Sequence, residues 1–397
     1  MTTSTAARLS FINILVVILI AGNLRAPITS VGPILKEILL DLNLNAVQGS
    51  LLTSIPLFVF ASCSIVVSRI ASRVTITSIL LFSAIILLAG LCFRIYGTSV
   101  MLFIGSLFIG LGICIGNVVT PVFIKRNFPQ HVGLLTGIFS VAMTVLAALA
   151  SGVSVSIAAF RDSGWKASLG IWIFWSVLTI TGILIKILSE RRAATPVDQK
   201  AISSNFSVIR SKMAWFISIF MGLQSFLYFT IIALLPTILQ HYGMDESSTG
   251  IVLTVLQLTM IPVMFLCPIV ATKMKNQRPL IHLICACMLI GIILLNTYHT
   301  VLIYVAAVLI GITFGLAFSL SVVFFSLKTR TLEGTVKISG KAQSTGYFIA
   351  AFGPLLFGFL HNYDTTWIAS FVLLVVVTIV MWMTGLKAAQ EKFVEDY

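Results

Sequence analysis

SERRAATPVDQKAISSNFSVIRSK, residues 189–212, is the longest polar segment of a chain that is 58% hydrophobic and only 9% charged. A soluble globular domain carries about 25% charged residues. So little charge indicates that most of the surface faces lipid and that the chain is an integral membrane protein. The segment lies near the middle of the 397 residues and divides the sequence into two parts of similar length.

Six apolar runs precede this segment and six follow it. A run of about 20 apolar residues is long enough for a helix to cross a bilayer. The sequence therefore predicts an all-α integral membrane fold with twelve spans, near residues 9–35, 47–68, 74–93, 99–121, 132–159, 166–188, 213–240, 248–271, 279–297, 300–326, 338–360 and 366–386.

The Lys and Arg residues predict the orientation of these spans. With a cytoplasmic N-terminus, the outer loops hold only Lys36, Arg94, Arg161 and Lys166, and Arg25 lies within a span. The other twenty of the 25 basic residues fall in cytoplasmic segments. Cytoplasmic loops of membrane proteins carry an excess of Lys and Arg, so both termini are expected in the cytoplasm.

Two short matches relate the two parts of the chain. GSLLTSIP (49–56) resembles GIVLTVLQ (250–257), and LTGIFS (135–140) resembles ISGKAQ (338–343), so both pairs are about 200 residues apart. Parallel repeats of this kind occur in transporters. We predict six-helix bundles at residues 1–188 and 213–397, arranged around a central cavity and joined by a cytoplasmic linker at 189–212.

Arg25 is the only charged residue between Arg8 and Lys36, and it lies near the middle of the first apolar run. A charged side chain within a span costs at least about 2.5–3.5 kcal/mol on insertion scales and normally faces the bundle interior or a water-filled cavity. All twelve acidic residues fall in predicted loops or tails, so no carboxylate within a span is expected to neutralise Arg25.

The guanidinium group of Arg25 offers a planar fork of donors suited to carboxylate, nitro and similar oxygen groups. Contact with a small anionic or electron-rich substrate is the favoured interpretation. Pairing with helix carbonyls and snorkelling to the outer interface are the alternatives. Further substrate-binding candidates are polar residues within the spans, each of which could instead bond a neighbouring helix: Asn117, Thr120, Gln224, Tyr228, Gln257, Gln343 and Tyr347.

Several classes of function are disfavoured by composition. The net charge of +13 reflects cytoplasmic loops in a membrane protein, so no nucleic acid partner is expected. The six cysteines lie in apolar runs and are predicted to be small buried hydrophobes without disulfides. No H-E-x-x-H or P-loop motif is present. We therefore expect no enzyme activity, no metal and no cofactor. The expected partners are a small-molecule substrate and the lipid bilayer, and a monomer is the default expectation.

Six stretches carry a resemblance to a known family: NLRAPITSVGP (23–33), LLTSIPLFVFA (51–61), GICIGNVVTPVFIKRNFP (112–129), LTGIFSVAM (135–143), LPTILQHYGM (235–244) and GKAQSTGYFIAAFGP (340–354). Together they resemble the cyanate permease subfamily of the major facilitator superfamily, which also includes a 2-nitroimidazole transporter. The resemblance covers nearly the whole chain.

This resemblance implies a transporter of the bacterial cytoplasmic membrane that works by alternating access. It also implies that Arg25 and Asn117 occupy positions similar to an arginine and an asparagine of that subfamily. The loop after the second span, SRIASRVT (68–75), lacks the Gly and Asp usual in the superfamily, so Arg69 and Arg73 are the gating candidates. The alternative function is a proton-coupled multidrug exporter of the same fold, which would usually carry carboxylates within its spans.

Overall fold

The structure is a computed structural model that describes residues 3–71, 74–160, 164–192, 207–297, 299–363 and 367–396. The secondary-structure elements of the described residues are α-helices and a short 3-10 turn at Gly32–Ile34, joined by short connections. The α-helices are α1 (Thr3–Thr29), α2 (Leu35–Asp41), α3 (Ala46–Ala71), α4 (Ile76–Arg94), α5 (Ser99–Asn127), α6 (Val132–Ala159), α7 (Gly164–Arg192), α8 (Lys212–His241), α9 (Glu246–Lys273), α10 (Arg278–Leu295), α11 (Thr300–Leu327), α12 (Leu332–Tyr363) and α13 (Ile368–Ala388).

Twelve segments of the described chain are long and apolar enough to cross a membrane, which confirms the predicted number of spans. The first predicted span, residues 9–35, is interrupted. Helix α1 ends at Thr29 and the chain passes through the turn at Gly32–Ile34 into the short α2. Pro33 lies in that turn, and proline has no N–H with which to continue the hydrogen-bond ladder of α1.

Four of the cysteines (Cys114, Cys267, Cys285 and Cys287) are buried, as predicted, whereas Cys92 is exposed and Cys63 is half-buried. The prediction of six buried thiols is therefore wrong for these two. Their helices α3 and α4 are apolar, so a thiol on the outer face of either helix meets lipid at little cost.

The helices pack as two compact units. The first comprises described residues within 1–131, 138–205 and 331–340, and the second comprises those within 132–137, 206–330 and 341–397. The predicted linker at 189–212 overlaps the end of α7 and the start of α8, and its residues 193–206 lie outside the described part of the chain.

Glycines let α4 and α5 approach backbone to backbone in the first unit. A methyl group added to Gly105 would lie 2.6 Å from the Gly90 carbonyl oxygen and 2.7 Å from the Arg94 amide nitrogen. A methyl group on Gly112 would lie 2.9 Å from the Ser83 carbonyl oxygen. Small residues at helix crossings increase van der Waals contact, which drives association of helices in lipid.

The two glycines matched by the internal repeat, Gly137 and Gly340, both make close backbone contacts. In the first unit, a methyl group on Gly340 would lie 2.5 Å from the Ser64 carbonyl oxygen of α3. In the second unit, one on Gly137 would lie 2.7 Å from the Phe265 carbonyl oxygen of α9. Each glycine therefore marks a helix crossing that has no room for a side chain.

The tail segment, residues 389–396, folds back onto Lys328 at the end of α11. The Lys328 ammonium donates to the carbonyl oxygens of Gln390 at 2.7 Å and Ala389 at 3.3 Å. The Val394 amide in turn donates to the Lys328 carbonyl oxygen at 2.8 Å. Lys328 is only 5% exposed, so its charge depends on these carbonyls for solvation.

Arg330 holds the end of the tail segment. Its guanidinium group pairs with Asp396 at 3.0 Å and lies 4.6 Å from the centroid of the Phe393 ring. Its backbone amide donates to Glu395 Oε1 at 3.0 Å. The segment is therefore attached to the connection between α11 and α12 at several points.

Burial lowers the pKa of Lys328 from 10.5 to about 8, and the nearby Glu391 carboxylate opposes this shift. Between about pH 8 and pH 10.5, Lys328 is protonated more often in the unfolded chain than in the folded chain. The free energy of unfolding therefore rises with pH across this range and decreases when the pH is lowered across it. We expect the Tm of the wild type to increase relative to that of Lys328→Met between about pH 7.5 and about pH 9.5. Thermal unfolding of both proteins at each pH checks this, and a constant difference in Tm would contradict it.

Candidate functional site

Arg25 lies in the last two turns of α1 and is half-buried. Two polar side chains fix the backbone on either side of it. The Asn23 amide donates to the Thr179 hydroxyl of α7 at 2.6 Å, and the Thr29 hydroxyl donates to the Ala147 carbonyl oxygen of α6 at 3.0 Å. Arg25 has an interaction partner in the structure, and the absence of a neutralising carboxylate within a span stays a prediction.

Asn117 lies on α5 and is also half-buried. The preceding residue, Gly116, packs against Leu24, the residue before Arg25, and a methyl group on Gly116 would lie 2.5 Å from Leu24 Cδ2. Arg25 and Asn117 therefore each lie one residue beyond the same contact between α1 and α5. This adjacency could not be read from residues 92 positions apart in the sequence.

Thr120 is fully buried, and its hydroxyl donates to the Gly116 carbonyl oxygen of its own helix at 2.6 Å. The expected structural alternative was a bond to a neighbouring helix, but the Thr120 hydroxyl instead bonds the carbonyl oxygen one turn earlier in α5. Thr120 therefore supports the helix that bears Asn117 and is a weaker candidate for contact with a substrate.

The second unit has its own set of candidates on α8 and α12. Gln224 is 3% exposed, and its amide donates to the Ser225 hydroxyl at 2.7 Å. Tyr228 is half-buried, and its ring packs edge-on against the rings of Phe229 and Phe314, each with a centroid distance of 5.3 Å. Both residues therefore lie on the packed side of α8.

Gln343 is buried and Tyr347 is half-buried on α12. Helix α12 approaches α8 closely, because a methyl group on Gly222 would lie 2.7 Å from Ile349 Cδ1. These candidates are thus on helices that touch those of Gln224 and Tyr228. Gln257 on α9 is exposed, unlike the buried and half-buried candidates on α8 and α12.

The gating candidates are only partly described. Arg69 is exposed at the end of α3, and Arg73 lies outside the described residues. The side chain of Ser68, the residue before Arg69, and the carbonyl oxygen of Ser64 pack against Gly340. Sequence reasoning missed this contact, although the match between LTGIFS and ISGKAQ had marked the glycine.

Two buried cations of the first unit were also missed. Arg94 was assigned to an outer loop, but it belongs to the last turn of α4 and is 1% exposed. Lys186, assigned to a cytoplasmic segment, is 2% exposed on α7, where it pairs with Glu190 at 2.5 Å. Its ammonium lies 5.3 Å from the centroid of the Phe123 ring.

The acidic residues are not confined to loops and tails as predicted, because Glu37 and Asp41 lie in α2 and Glu246 is the first residue of α9. Glu190 lies within α7, and Glu333 lies within the first turn of α12, where it pairs with Lys337 at 2.6 Å. Both are near helix ends and have a lysine one turn away, which is why the charge pattern resembled that of a loop. In the parts of the chain that the structure covers, no three His, Cys, Asp or Glu side chains are grouped as a metal site requires.

The sequence profile of the Major Facilitator Superfamily matches residues 14–336. The 2-nitroimidazole transporter of Escherichia coli (strain K12) is 30% identical over 393 residues, a match that spans 98% of both chains. The cyanate transport protein CynX of the same organism is 25% identical over 365 residues, spanning 89% of this chain and 92% of the relative.

Among solved structures, the proton:xylose symporter XylE bound to 6-bromo-6-deoxy-D-glucose superposes with a TM-score of 0.76 at 12% identity, covering 98% of both chains. This likeness concerns the fold. With twelve apolar helices and bacterial transporter relatives, the chain is a multi-pass bacterial membrane protein.

Proposed function

The chain belongs to the Major Facilitator Superfamily, and on that basis we propose that it is a secondary active transporter for a small anionic or nitro-bearing polar solute. It moves this solute by alternating access between two six-helix halves, residues 1–188 and 213–397, with both termini in the cytoplasm. The transporter class follows from the family. The substrate class rests on the residues described below.

The observation that supports the proposal is the close approach of Leu24 and Gly116, because Arg25 and Asn117 are the residues that follow them on α1 and α5. Both side chains are half-buried, so neither is sealed in the packed interior. A guanidinium fork and an amide together supply several N–H donors. Such a set suits the terminal atoms of a small anion or the two oxygens of a nitro group.

The two relatives support the same class of solute, since one is a 2-nitroimidazole transporter and the other a cyanate transport protein. The two compounds share electron-rich terminal oxygens and small size. We infer that Arg25 and Asn117 bind this end of the solute. Gln224, Tyr228, Gln343 and Tyr347 are the candidates of the second unit for contact with a solute.

The membrane potential limits how an anion could be moved. An inside-negative potential opposes the entry of each negative charge by about 2.3 kcal/mol per 100 mV. The described carboxylates on the spanning helices α7 and α12, Glu190 and Glu333, are near helix ends and paired with lysines. The proposal therefore includes export of an anion, uptake of a neutral nitro compound or protonated acid, and coupling through the substrate itself.

Transport into proteoliposomes containing the purified protein tests this function. Cyanate and 2-nitroimidazole are the probes, protein-free liposomes are the control, and a lipophilic cation tests the alternative of a proton-coupled multidrug exporter. Saturable movement of either probe supports the proposal. Movement of the cation alone, driven by a pH gradient, would replace it with the exporter function.

A further inference from the structure

Arg94 reaches from α4 to the end of α1. Its Nη1 donates to the Pro27 carbonyl oxygen at 2.5 Å, and its Nη2 donates to the Ser106 hydroxyl of α5 at 3.1 Å. The side chain is 1% exposed. A single buried guanidinium group thus joins three helices of the first unit.

The Pro27 carbonyl is one of the last four of α1, which have no partner within a helix. The Val31 amide donates to Ile28 instead, as the chain tightens into the 3-10 turn. The Ser30 hydroxyl also donates to the Pro27 carbonyl oxygen, at 3.4 Å, so Arg94 supplies the shorter of two side-chain hydrogen bonds to this end of α1. A cation at this position also interacts favourably with the helix dipole, whose C-terminal end is negative.

Arg94 can take this position because Gly90 and Gly105 bring α4 and α5 together at its own backbone. A methyl group on Gly105 would lie 2.7 Å from the Arg94 amide nitrogen. The two guanidinium nitrogens then face different helices. Lysine has one nitrogen and no planar fork, so it cannot hold both contacts in the same geometry.

Pro27 lies two residues beyond Arg25, a rise of about 3 Å along the helix. We infer that Arg94 is a positioning residue, which holds the turn of α1 that bears Arg25 at the depth and rotation needed for the substrate. With Asn23 on Thr179 and Thr29 on Ala147, Arg94 fixes this turn against α4. The inference rests on the proposed role of Arg25 in binding.

The first test is amide hydrogen exchange and needs no substrate. In Arg94→Met the amides of residues 24–34 are expected to exchange about tenfold faster than in the wild type, because a hydrogen bond from a charged group is lost. Lys186→Met removes another buried cation of the same unit and is the matched control, with unchanged exchange at 24–34. Unchanged exchange in Arg94→Met overturns the inference. If Arg94→Met fails to fold, the same exchange measurement is made on Arg94→Lys.

The second test measures the Kd for cyanate and 2-nitroimidazole on folded protein. Arg94→Met is expected to weaken binding about tenfold, and Arg94→Lys by less. In an Arg25→Ala background, Arg94→Met is expected to have no further effect, because its effect passes through Arg25. A purely structural role would lower the Tm but leave the Kd unchanged, which overturns the inference.

The two tests separate this inference from the proposed function. If the wild type binds neither probe, the assignment of the substrate class fails, and the exchange experiment alone decides whether Arg94 holds this turn. If the wild type binds a probe and Arg94→Met binds it equally well, the substrate class stands and the positioning role fails.

Discussion

Replacing Arg25 with alanine is expected to weaken the binding of cyanate or 2-nitroimidazole by about 10- to 100-fold, because a hydrogen bond to a charged group contributes about 1.5–3 kcal/mol. The fold is expected to persist. The residue is half-buried, and the backbone of its turn is held through Asn23, Thr29 and Pro27. Isothermal titration of purified protein with each probe measures the change in Kd.

Arg25→Lys is the matched control for charge. It retains the cation without the planar fork, so binding intermediate between wild type and Arg25→Ala is expected. Thr120→Ala controls for a polar residue of the same unit whose hydroxyl is bonded within its own helix, and it should leave the Kd unchanged. Equal binding by wild type and Arg25→Ala would remove this residue from the site.

Gly105→Ala is expected to destabilise the protein by about 1–3 kcal/mol, the usual range for overpacking. The added methyl group would meet two backbone groups, the Gly90 carbonyl oxygen at 2.6 Å and the Arg94 amide nitrogen at 2.7 Å. Neither can turn away as a flexible side chain could. Helices α4 and α5 must therefore separate, and the Tm of the detergent-solubilised protein should fall.

Gly152→Ala is the matched control for this prediction. Gly152 lies within α6, and a methyl group there would have no neighbour within 4 Å. Alanine favours a helix over glycine by about 1 kcal/mol, so this change should leave the Tm unchanged or raise it. A fall in Tm of similar size in both variants would contradict the prediction, because it would show that Gly105 is not required for the close approach of α4 and α5.

The number of helices could be predicted from the sequence because the length and apolarity of a span depend only on local composition. The residues at which the spans end were harder to predict. Helix α5 continues past Pro121, the last residue of the predicted span at 99–121, to Asn127. A proline removes one hydrogen bond, but the packing of the flanking turns can retain the helix.

The candidate site could be predicted only as a set of polar residues in apolar surroundings. The pattern around Arg94, LCFRIYG (91–97), is the same for an arginine at a lipid interface and for one that caps another helix. Its partner Pro27 is 67 positions away, beyond any local pattern. The proximity of the backbone positions of Arg25 and Asn117 likewise depends on the contact between Leu24 of α1 and Gly116 of α5, which no sequence spacing encodes.

The position of Arg94 has a consequence for how the protein is made. A guanidinium group at the end of α4 is unfavourable in lipid. Insertion of α4 into the bilayer without a neighbouring helix therefore costs free energy during synthesis. Its acceptor on α1 has already been synthesised, whereas Ser106 follows twelve positions later. The nascent chain can therefore shield this charge as soon as α4 is inserted, by docking it on the first helix before the fifth has emerged.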